Sequence, residues 1–230
     1  MQPSTISRTP VAVFDYDGTC ISGQSGSLIS KWLLKRGDLS AHATVGLVWW
    51  GARYKFHLPY RQEHSRELIF HDLEDLSPSE IDALMVEFHN EVLVPLYRQR
   101  AADEIALRRA QGCVTVIVSA TFDPIAREAA MLLGADGYVA TQMEQDASGN
   151  YTGNVSGNVV AGKAKVEAAC AWADKTLGPN KWSLAFAYGD HHSDIELLSA
   201  ARHPMAVSPG PTLRRAAHAQ GWPIVDWEAR

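Results

Sequence analysis

Two acidic residues follow an apolar run near the start of the chain. The stretch VAVFDYDGT covers residues 11–19 and places Asp15 and Asp17 after four apolar residues and before Gly-Thr. A short apolar run bounded by turn residues is typical of a buried strand. Two carboxylates held this close repel each other unless a cation lies between them, and a divalent metal is the obvious candidate. The simpler alternative is a solvated turn, because Asp-Gly pairs are common in turns.

Polar side chains also follow two later apolar runs. Ser119 comes directly after an apolar run in VTVIVSAT, and LAFAYGDHHSD supplies Asp190 and Asp194. Between them, VAGKAKVEAA places Lys163 and Lys165 at the start of a predicted helix. Carboxylate oxygens suit a hard ion such as Mg²⁺, whereas a hydroxyl, backbone amides and a lysine suit a phosphate. The combination predicts phosphoryl transfer, with metal and lysine offsetting the charge on the transferring group.

The elements that must position these residues alternate between strand and helix. Such alternation predicts a mostly parallel sheet covered by helices on both faces, with ligands at the carboxyl ends of its strands. The predicted strands are residues 11–14, 114–118, 137–140, 183–187, 204–207 and 224–225, and the helices among them are 125–133, 163–177, 194–201 and 212–219.

Residues 20 to about 110 break this alternation. They carry almost no strand signal, and helical patterns cover residues 28–36, 41–56, 60–70 and 77–109. The sequence therefore predicts a helical insertion of about ninety residues between the first two strands. Because it leaves the end of the first strand, this insertion should cover the site.

The composition excludes several classes of protein. The 230 residues are 46% hydrophobic and 20% charged, with a net charge of −5 and a pI near 6.0, which gives no electrostatic footprint for nucleic acid. The three cysteines lack a CxxC pair, which argues against a disulfide framework or a zinc site and suits a reducing compartment. No apolar run approaches a membrane span, and the first ten residues lack an apolar signal core. We expect a cytoplasmic protein with no stable membrane insertion; the oligomeric state is left open.

Four of these motifs together resemble a known family. DYDGT at 15–19, Ser119, Lys165 and GDHHSD at 189–194 are similar in order and spacing to the motifs of the haloacid dehalogenase (HAD) superfamily. The segment at 149–166 further resembles subfamily IB, the phosphoserine-phosphatase-like branch. The resemblance implies an α/β fold: an HAD-like Rossmannoid core with a central parallel β-sheet flanked by helices, and an all-helical C1-type cap inserted after the first strand. The implied core is residues 1–22 and 110–230, and the implied cap is 23–109.

The resemblance also implies a Mg²⁺-dependent phosphatase that hydrolyses a phosphate monoester through an aspartyl-phosphate. Asp15 would be the nucleophile, and Asp17, with a raised pKa, would be the general acid and base. The metal would bind the Asp15 carboxylate, the Asp17 backbone carbonyl and Asp190. Asp194 would not bind the metal itself; it would hold a metal-bound water molecule or orient the lysine.

The phosphoryl oxygens need hydrogen-bond donors. The resemblance assigns this role to Ser119 and to backbone amides around Gly18 and Ala120, while Thr19 would support the first loop.

The resemblance also separates two lysines. The family pattern places a glycine three residues before the active lysine, and Gly162 precedes Lys165 by three, so Lys165 is favoured over Lys163. The alternative for either lysine is a solvated position in the first helical turn. His191 and His192 are expected at the rim of the site, because oxygen ligands dominate there.

The cap should select the substrate, a small phosphorylated molecule. Phosphoserine phosphatases carry a glutamate nine residues after the nucleophile, and here that position is Gln24, which makes phosphoserine less favoured. Arg66 is expected to contact a substrate carboxylate, with Arg61 as the second choice. The alternative is an exposed helical arginine paired with Glu63 or Glu67.

The stretch VGLVWWGARYKFHL at 45–58 is apolar, aromatic and basic within one helical span. Trp49 and Trp50 are expected to pack the small core of the cap. An alternative is a surface that meets lipid, which keeps a lipid-phosphate phosphatase open as a second function. A non-catalytic phospho-ligand binding or signalling module is a third. Cys20 is expected to be a small packing residue rather than a redox switch.

Overall fold

A seven-stranded sheet forms the centre of the protein. The computed structural model describes residues 8–228 apart from residues 57 and 60. Within that part of the chain the strand order is β4-β3-β2-β1-β5-β6-β7, and all neighbours are parallel except the antiparallel pair β3 and β4. The strands are β1 (Thr9–Phe14), β2 (Val114–Phe122), β3 (Gly137–Gln145), β4 (Tyr151–Ser156), β5 (Trp182–Gly189), β6 (His203–Val207) and β7 (Ile224–Val225).

Helices cover both faces of this sheet, which confirms the predicted fold class. Five of them, α1 to α5, lie between β1 and β2 in the chain. The bounds are α1 (Ser25–Arg36), α2 (Ala41–Lys55), α3 (His64–Asp72), α4 (Pro78–Phe88), α5 (Gln99–Ala110), α6 (Asp123–Leu133), α7 (Lys163–Leu177), α8 (Ile195–Ala200) and α9 (Pro211–Gln220). The helix predicted over residues 60–70 lies two to four residues further on, and its predicted first residue is outside the described part of the chain.

The central strand β1 is buried on both faces. Val11 and Val13 pack with apolar residues of α7, α8 and α9, whereas Ala12 and Phe14 pack into the larger cluster on the opposite face. This arrangement follows from the alternation of side chains along a strand. Phe14 stacks on Tyr188 of β5, with ring centroids 4.2 Å apart. Packing on both faces therefore fixes the position from which the residues after Phe14 leave the sheet.

The helix predicted over residues 77–109 is interrupted. After α4 the chain forms a π-helical turn (His89–Leu93) and a 3₁₀ turn (Val94–Leu96), then runs extended through Tyr97 before α5 begins. At the break the chain pairs with the loop after β1: the Ser22 N–H donates to Leu96 O and the Arg98 N–H to Cys20 O, both at 2.9 Å. Pairing with a distant segment overrides local helix propensity here, and α5 then contacts β2 and α6.

The sheet also has an edge strand that the sequence pattern does not predict. β3 continues to Gln145, and a tight turn leads into β4. Asp146 Oδ1 accepts the N–H groups of Ser148 and Asn150, at 2.8 and 2.9 Å, which stabilises the turn. β4 contains a glycine and an asparagine, residues of low strand propensity, so the apolar pattern is weak. It packs against α3 of the insertion.

The described helices were also compared with the dimensions of a lipid bilayer. Within residues 8–228, apart from 57 and 60, none combines the length and the apolar character that crossing a membrane requires.

Candidate active site

The carboxylate of Asp15 lies at the carboxyl end of β1 and is buried. Its backbone N–H donates to Tyr188 O of β5 at 2.9 Å, so the sheet fixes its position. The Lys165 Nζ lies 2.5 Å from Asp15 Oδ1 and 2.5 Å from Asp194 Oδ1. The side chain of Lys163 is 84% exposed and pairs with Glu167, so the structure brings Lys165 and not Lys163 to Asp15.

Two further carboxylates complete a cluster around Asp15. Asp15, Asp190 and Asp194 can each place one oxygen within 4.8 Å of the others. Asp194 is fully buried, and its Oδ2 accepts the His191 N–H at 3.0 Å. Thr19 Oγ1 lies 3.4 Å from both Asp15 Oδ2 and Asp190 Oδ1, so its hydroxyl bridges the two carboxylates as a supporting residue would.

The charges in this cluster do not balance. Three carboxylates face one ammonium group, Lys165. Burial and the charge of Asp194 raise the pKa of Asp15 well above its ordinary range, although Lys165 opposes the rise. Burial and the same charge raise the pKa of Asp190 to about 7. Burial alone would lower the pKa of Lys165, but Asp15 and Asp194 more than compensate and raise it. The clustered carboxylate oxygens suit a further, hard cation beside the Lys165 ammonium.

The second acid of the first loop has its own partners. Asp17 Oδ1 accepts the Ser25 N–H at 2.7 Å, and its Oδ2 lies 2.8 Å from the Ser25 hydroxyl. That hydroxyl is also 2.8 Å from Thr121 Oγ1 of β2. Burial raises the pKa of Asp17, as expected for a general acid, while the Ser25 hydrogen bonds oppose this rise. Because Ser25 begins α1, the first helix of the insertion holds the carboxylate of Asp17.

Ser119 and Ala120 lie where β2 passes the site. Ser119 is buried, and its Oγ accepts the Thr121 N–H at 3.1 Å, which leaves its hydroxyl proton to donate. The Ala120 carbonyl accepts the Thr141 hydroxyl at 3.1 Å and two N–H groups of Arg66, at 2.9 and 2.8 Å. Arg66 thus joins α3 to β2 at the site. Its predicted contact with a substrate carboxylate stays a prediction.

Both backbone polar groups of Gly18, its N–H and its carbonyl, are hydrogen-bonded. Gly18 has φ +79°, and a Cβ there would overlap the carboxylate of Asp190, so only glycine fits. Its N–H donates to Gly23 O at 2.9 Å, and its carbonyl accepts from Arg98 Nη1. The predicted contact between the Gly18 amide and a phosphoryl oxygen stays a prediction, and it would require the bond to Gly23 to break.

The remaining predicted residues lie around the site. Gln24 is exposed at the start of α1, where its side chain does not cap the helix. His191 and His192 have ring centroids 3.9 Å apart; His192 is exposed, and burial together with the charge of His192 lowers the pKa of His191. Cys20 is buried and its thiol donates to Asp15 O at 3.1 Å. Burial raises the pKa of this thiol, which favours packing over redox chemistry.

In the insertion, the structure corrects the expectation for Trp49 and contradicts the alternative for Arg66. Trp49 is 62% exposed and does not pack the core of the insertion, because it lies on the solvent side of α2. Trp50 is partly buried, and its Nε1–H donates to Arg61 O at 2.8 Å. The arginine that pairs with glutamates is Arg61, which lies 3.3 Å from Glu67 and 3.9 Å from Glu63, whereas Arg66 turns to Ala120.

Four residues at the site were missed by sequence reasoning: Ser25, Arg98, Thr121 and Thr141. Ser25 lies in the polar run SGQSGS, and Thr121 comes two residues after Ser119 on the same strand, so both carried a weak signal. Arg98 and Thr141 lie inside segments interpreted as helix and as the loop after a strand. Their sequence neighbours carry no signal for a site.

A buried carboxylate cluster with a lysine, at the carboxyl ends of parallel strands, defines an α/β enzyme suited to phosphoryl transfer. Comparison with known families makes the assignment specific. The model of the haloacid dehalogenase-like hydrolase family matches residues 12–199, and the chain belongs to this family.

Relatives of the chain are named phosphatases. A histidinol-phosphatase of Neisseria meningitidis is 26% identical over 224 residues, 95% of this chain and 99% of the relative. The phosphoserine phosphatase SerB1 of Mycobacterium tuberculosis is 26% identical over 227 residues, 96% of this chain and 72% of the relative. The chain is therefore a phosphoric monoester hydrolase of the HAD type.

Solved structures agree on the fold. A protein of unknown function from Bordetella pertussis Tohama I superimposes with a TM-score of 0.84 at 27% identity, covering 96% of this chain and 99% of that one. A phosphoserine phosphatase with a phospho-aspartyl intermediate analogue gives a TM-score of 0.63 at 21% identity, covering 97% and 95%.

Proposed function

We propose that the protein hydrolyses a small phosphate monoester through an aspartyl-phosphate on Asp15, with Mg²⁺ as its cofactor. The observation that carries the proposal is the contact of Lys165 with both Asp15 and Asp194 at 2.5 Å, beside the half-buried Asp190. This contact orients one buried carboxylate at the end of a central strand. Burial raises the pKa of Asp17, two residues later, as it raises that of Asp15, but hydrogen bonds from Ser25 rather than the charge of Lys165 chiefly oppose the rise. This different environment suits a separate role.

The carboxylates of Asp15 and Asp190 and the backbone carbonyl of Asp17 would hold the metal. When bound, it would offset the negative charge of the phosphoryl group and of the clustered carboxylates. Asp194 would act indirectly, by orienting Lys165 and the His191 N–H, from which its two oxygens accept hydrogen bonds.

The reaction would proceed in two steps. In the first, an Asp15 oxygen forms a bond to phosphorus, the bond from phosphorus to the leaving oxygen breaks, and Asp17 gives its proton to that oxygen. In the second, water forms a bond to phosphorus, Asp17 takes the proton of the water, and the bond between phosphorus and Asp15 breaks. Ser119 and Lys165 would stabilise the negative charge that develops on the phosphoryl oxygens.

The substrate would be a small phosphorylated metabolite of the cytoplasm. The names of the two phosphatase relatives make histidinol phosphate and phosphoserine the first compounds to test. Gln24, neutral and exposed, cannot pair with an ammonium group as a carboxylate does. Because both compounds carry an ammonium group, the rates on the two compounds decide between them.

The test is phosphate release from p-nitrophenyl phosphate, followed by a panel of phosphorylated metabolites. We expect release with magnesium, loss of release with EDTA, and a fall of more than about 10³-fold in kcat for Asp15→Asn with an unchanged thermal melt. Removal of the Asp15 charge relieves repulsion in the cluster while Lys165 keeps Asp194 as a partner. Turnover by the folded Asp15→Asn protein would refute the mechanism.

A lipid phosphate is the second candidate substrate, and the solvent side of α2 favours it. Val45, Val48 and Trp49 are 69%, 69% and 62% exposed, and Phe56 just beyond the helix is 68% exposed. A contiguous apolar and aromatic face of this kind suits a lipid surface. Activity on long-chain lysophosphatidate in mixed micelles tests it. Trp49→Ser should lower the activity on lysophosphatidate but not the activity on p-nitrophenyl phosphate. Met131→Ser, which changes an exposed apolar residue on α6, should lower neither activity. If Trp49→Ser lowered the activity on lysophosphatidate and on p-nitrophenyl phosphate by the same factor, the lipid substrate would be contradicted.

A further inference from the structure

Arg98 is a buried cation outside the carboxylate cluster. It is 8% exposed and lies at the residue before α5, where the chain returns from the insertion. Its Nη1 donates to the carbonyl of Gly18 and, at 3.4 Å, to that of Thr19. Its Nη2 lies 3.0 Å from Glu228 Oε1, and that glutamate side chain is 68% exposed. The guanidinium therefore donates most of its hydrogen bonds to the backbone of the loop that carries Asp15 and Asp17.

Stability alone does not account for this arginine. Its Nε is buried and has no hydrogen-bond partner among the described residues. A buried donor without a partner destabilises the folded state, and replacement of a buried cation by an apolar residue of similar size is often neutral or stabilising. The salt bridge to an exposed glutamate offsets little of that cost. The geometry calls for a role that an apolar residue could not perform.

The contacts of Arg98 fix the Gly18 peptide. The N–H of Gly18 is bonded to Gly23 O, and its carbonyl is bonded to Arg98, so both ends of this residue are held. Gly18 packs directly on the carboxylate of Asp190. A rotation of the Gly18 peptide would therefore move the loop against Asp190. The backbone N–H of Arg98 also donates to Cys20 O at 2.9 Å, which adds a third point of attachment.

The opposite end of Arg98 is anchored in the core. α5 begins at the next residue, contacts β2 and α6, and buries Ala101 and Ile105. Arg98 therefore links a packed helix to the loop that carries Asp15 and Asp17 through a single buried side chain. A guanidinium can donate to two carbonyls at once, whereas a lysine ammonium offers a point charge on a flexible stem.

We propose that Arg98 is a positioning residue of the phosphatase reaction, which holds the Gly18 and Thr19 carbonyls so that Asp15 and Asp17 keep their places relative to Asp190. This inference rests on the proposed function of Asp15 and Asp17. It concerns the placement of the loop and requires no contact between Arg98 and the substrate.

The experiment compares Arg98→Gln and Arg98→Lys with Arg100→Gln as the matched control. Arg100 loses the same charge two residues away, where it donates only to Asp226 O at 3.2 Å in the described contacts. With p-nitrophenyl phosphate and magnesium, we expect Arg98→Gln to lower kcat by about 100-fold with KM changed less than about threefold, because a small misplacement of reacting groups has that effect. Arg98→Lys should recover part of the loss, and Arg100→Gln should resemble the wild type.

A second measurement separates this proposal from the proposed function. Hydrogen exchange of the peptide covering residues 15–24 should accelerate by about tenfold in Arg98→Gln, while that covering residues 203–207 should not change. If the wild type releases no phosphate, the proposed function fails, and exchange of the loop still decides the role of Arg98. Unchanged exchange of the loop, or an unchanged kcat in an active wild-type background, would overturn the proposal. An equal acceleration across both peptides would also overturn it, since that indicates general destabilisation.

Discussion

Each acid at the site is defined by its immediate partner. Asp15 has a lysine, Asp17 has a serine and the N-terminus of a helix, and Asp194 has the same lysine and a backbone N–H. Chemically identical side chains thus occupy three different environments. Burial raises the pKa of both Asp15 and Asp17, but different groups oppose the rise in each case. In the proposed mechanism, this difference would allow one carboxylate to serve as the nucleophile and the other as the proton donor.

Replacement of either lysine tests which one belongs to the site. Lys165→Met should abolish turnover and lower the free energy of unfolding by about 3–5 kcal/mol, because it leaves buried carboxylates without their cation. Lys163→Met, on the same helix, should change the unfolding free energy by less than about 0.5 kcal/mol and leave kcat within about twofold, since its ion pair is exposed. Urea unfolding and steady-state rates measure both. Similar behaviour of the two variants would contradict the assignment.

Ser25→Ala tests how the second acid is held. The substitution removes one of the two hydrogen bonds to Asp17 and breaks the link to Thr121, while the Ser25 N–H remains. We expect kcat to fall by about tenfold with little change in KM, because a hydrogen bond to a charged group contributes about 1.5–3 kcal/mol. Ser27→Ala, at an exposed position two residues later, is the control. A rate for Ser25→Ala equal to that control would show that Asp17 does not depend on Ser25.

Among the elements, the interrupted segment from α4 to α5 has a buried hydrogen-bonded chain of its own. Tyr16 OH lies 2.9 Å from Tyr97 OH, which lies 2.8 Å from His89 Nε2 in the π-helical turn. The chain joins the residue between the two loop acids to the returning segment. π-Helical turns are frequent at functional sites, and this one lies just before the point where the insertion rejoins the core.

The pH dependence of stability tests this segment. Burial lowers the pKa of His89 below its ordinary value of 6.5, although Asn90 and Glu128 oppose the shift. The unfolded chain then binds the proton more readily than the folded one, so this contribution to stability is present above pH 6.5 and is lost as the pH falls below it. His89→Gln should melt with a weaker dependence on pH between about 7.5 and 5.5 than the wild type. His192→Gln, at an exposed position, is the control, and parallel curves for wild type and His89→Gln would refute the assignment.

For the molecule as a whole, α3 holds the insertion to the core at two places. Arg66 donates twice to the Ala120 carbonyl, and β4 packs against α3 so closely that a Cβ on Gly153 would overlap the ring of His71. The insertion is thus tied both to the strand that carries Ser119 and to the edge of the sheet. A position over the carboxyl ends of the strands is expected for an insertion that selects substrates.

Arg66→Lys distinguishes a link between the insertion and the core from a contact with substrate. A lysine would lose the twofold donation to Ala120, so a linking role predicts a fall of about tenfold in kcat/KM for every phosphate ester. A substrate-reading role predicts a loss only for esters that carry a carboxylate. Rates on phosphoserine and on p-nitrophenyl phosphate separate the two roles. Arg36→Lys, at an exposed arginine of α1 that pairs with Asp38 and Glu87, is the control. No change on either ester would exclude both roles.

The sequence by itself determined the fold class, the first loop and the order of its acids. Short, largely apolar runs, each followed by a polar residue of the site, mark β1, β2 and β5 in the sequence, because strands buried on both faces are mostly apolar and the loops after them are not. The choice of Lys165 over Lys163 also came from spacing, and the structure places Lys165 at Asp15.

Only the tertiary structure decided the partners that hold the site. Arg98, Ser25 and Thr121 act across 80, 8 and 96 residues of chain, and the break between α4 and α5 exists because the returning chain pairs with the loop after β1. Local propensity and hydrophobic period carry no information about contacts between distant segments, since the same arginine or serine would fit an exposed helix equally well. Those contacts form only once the sheet has brought the strand ends together.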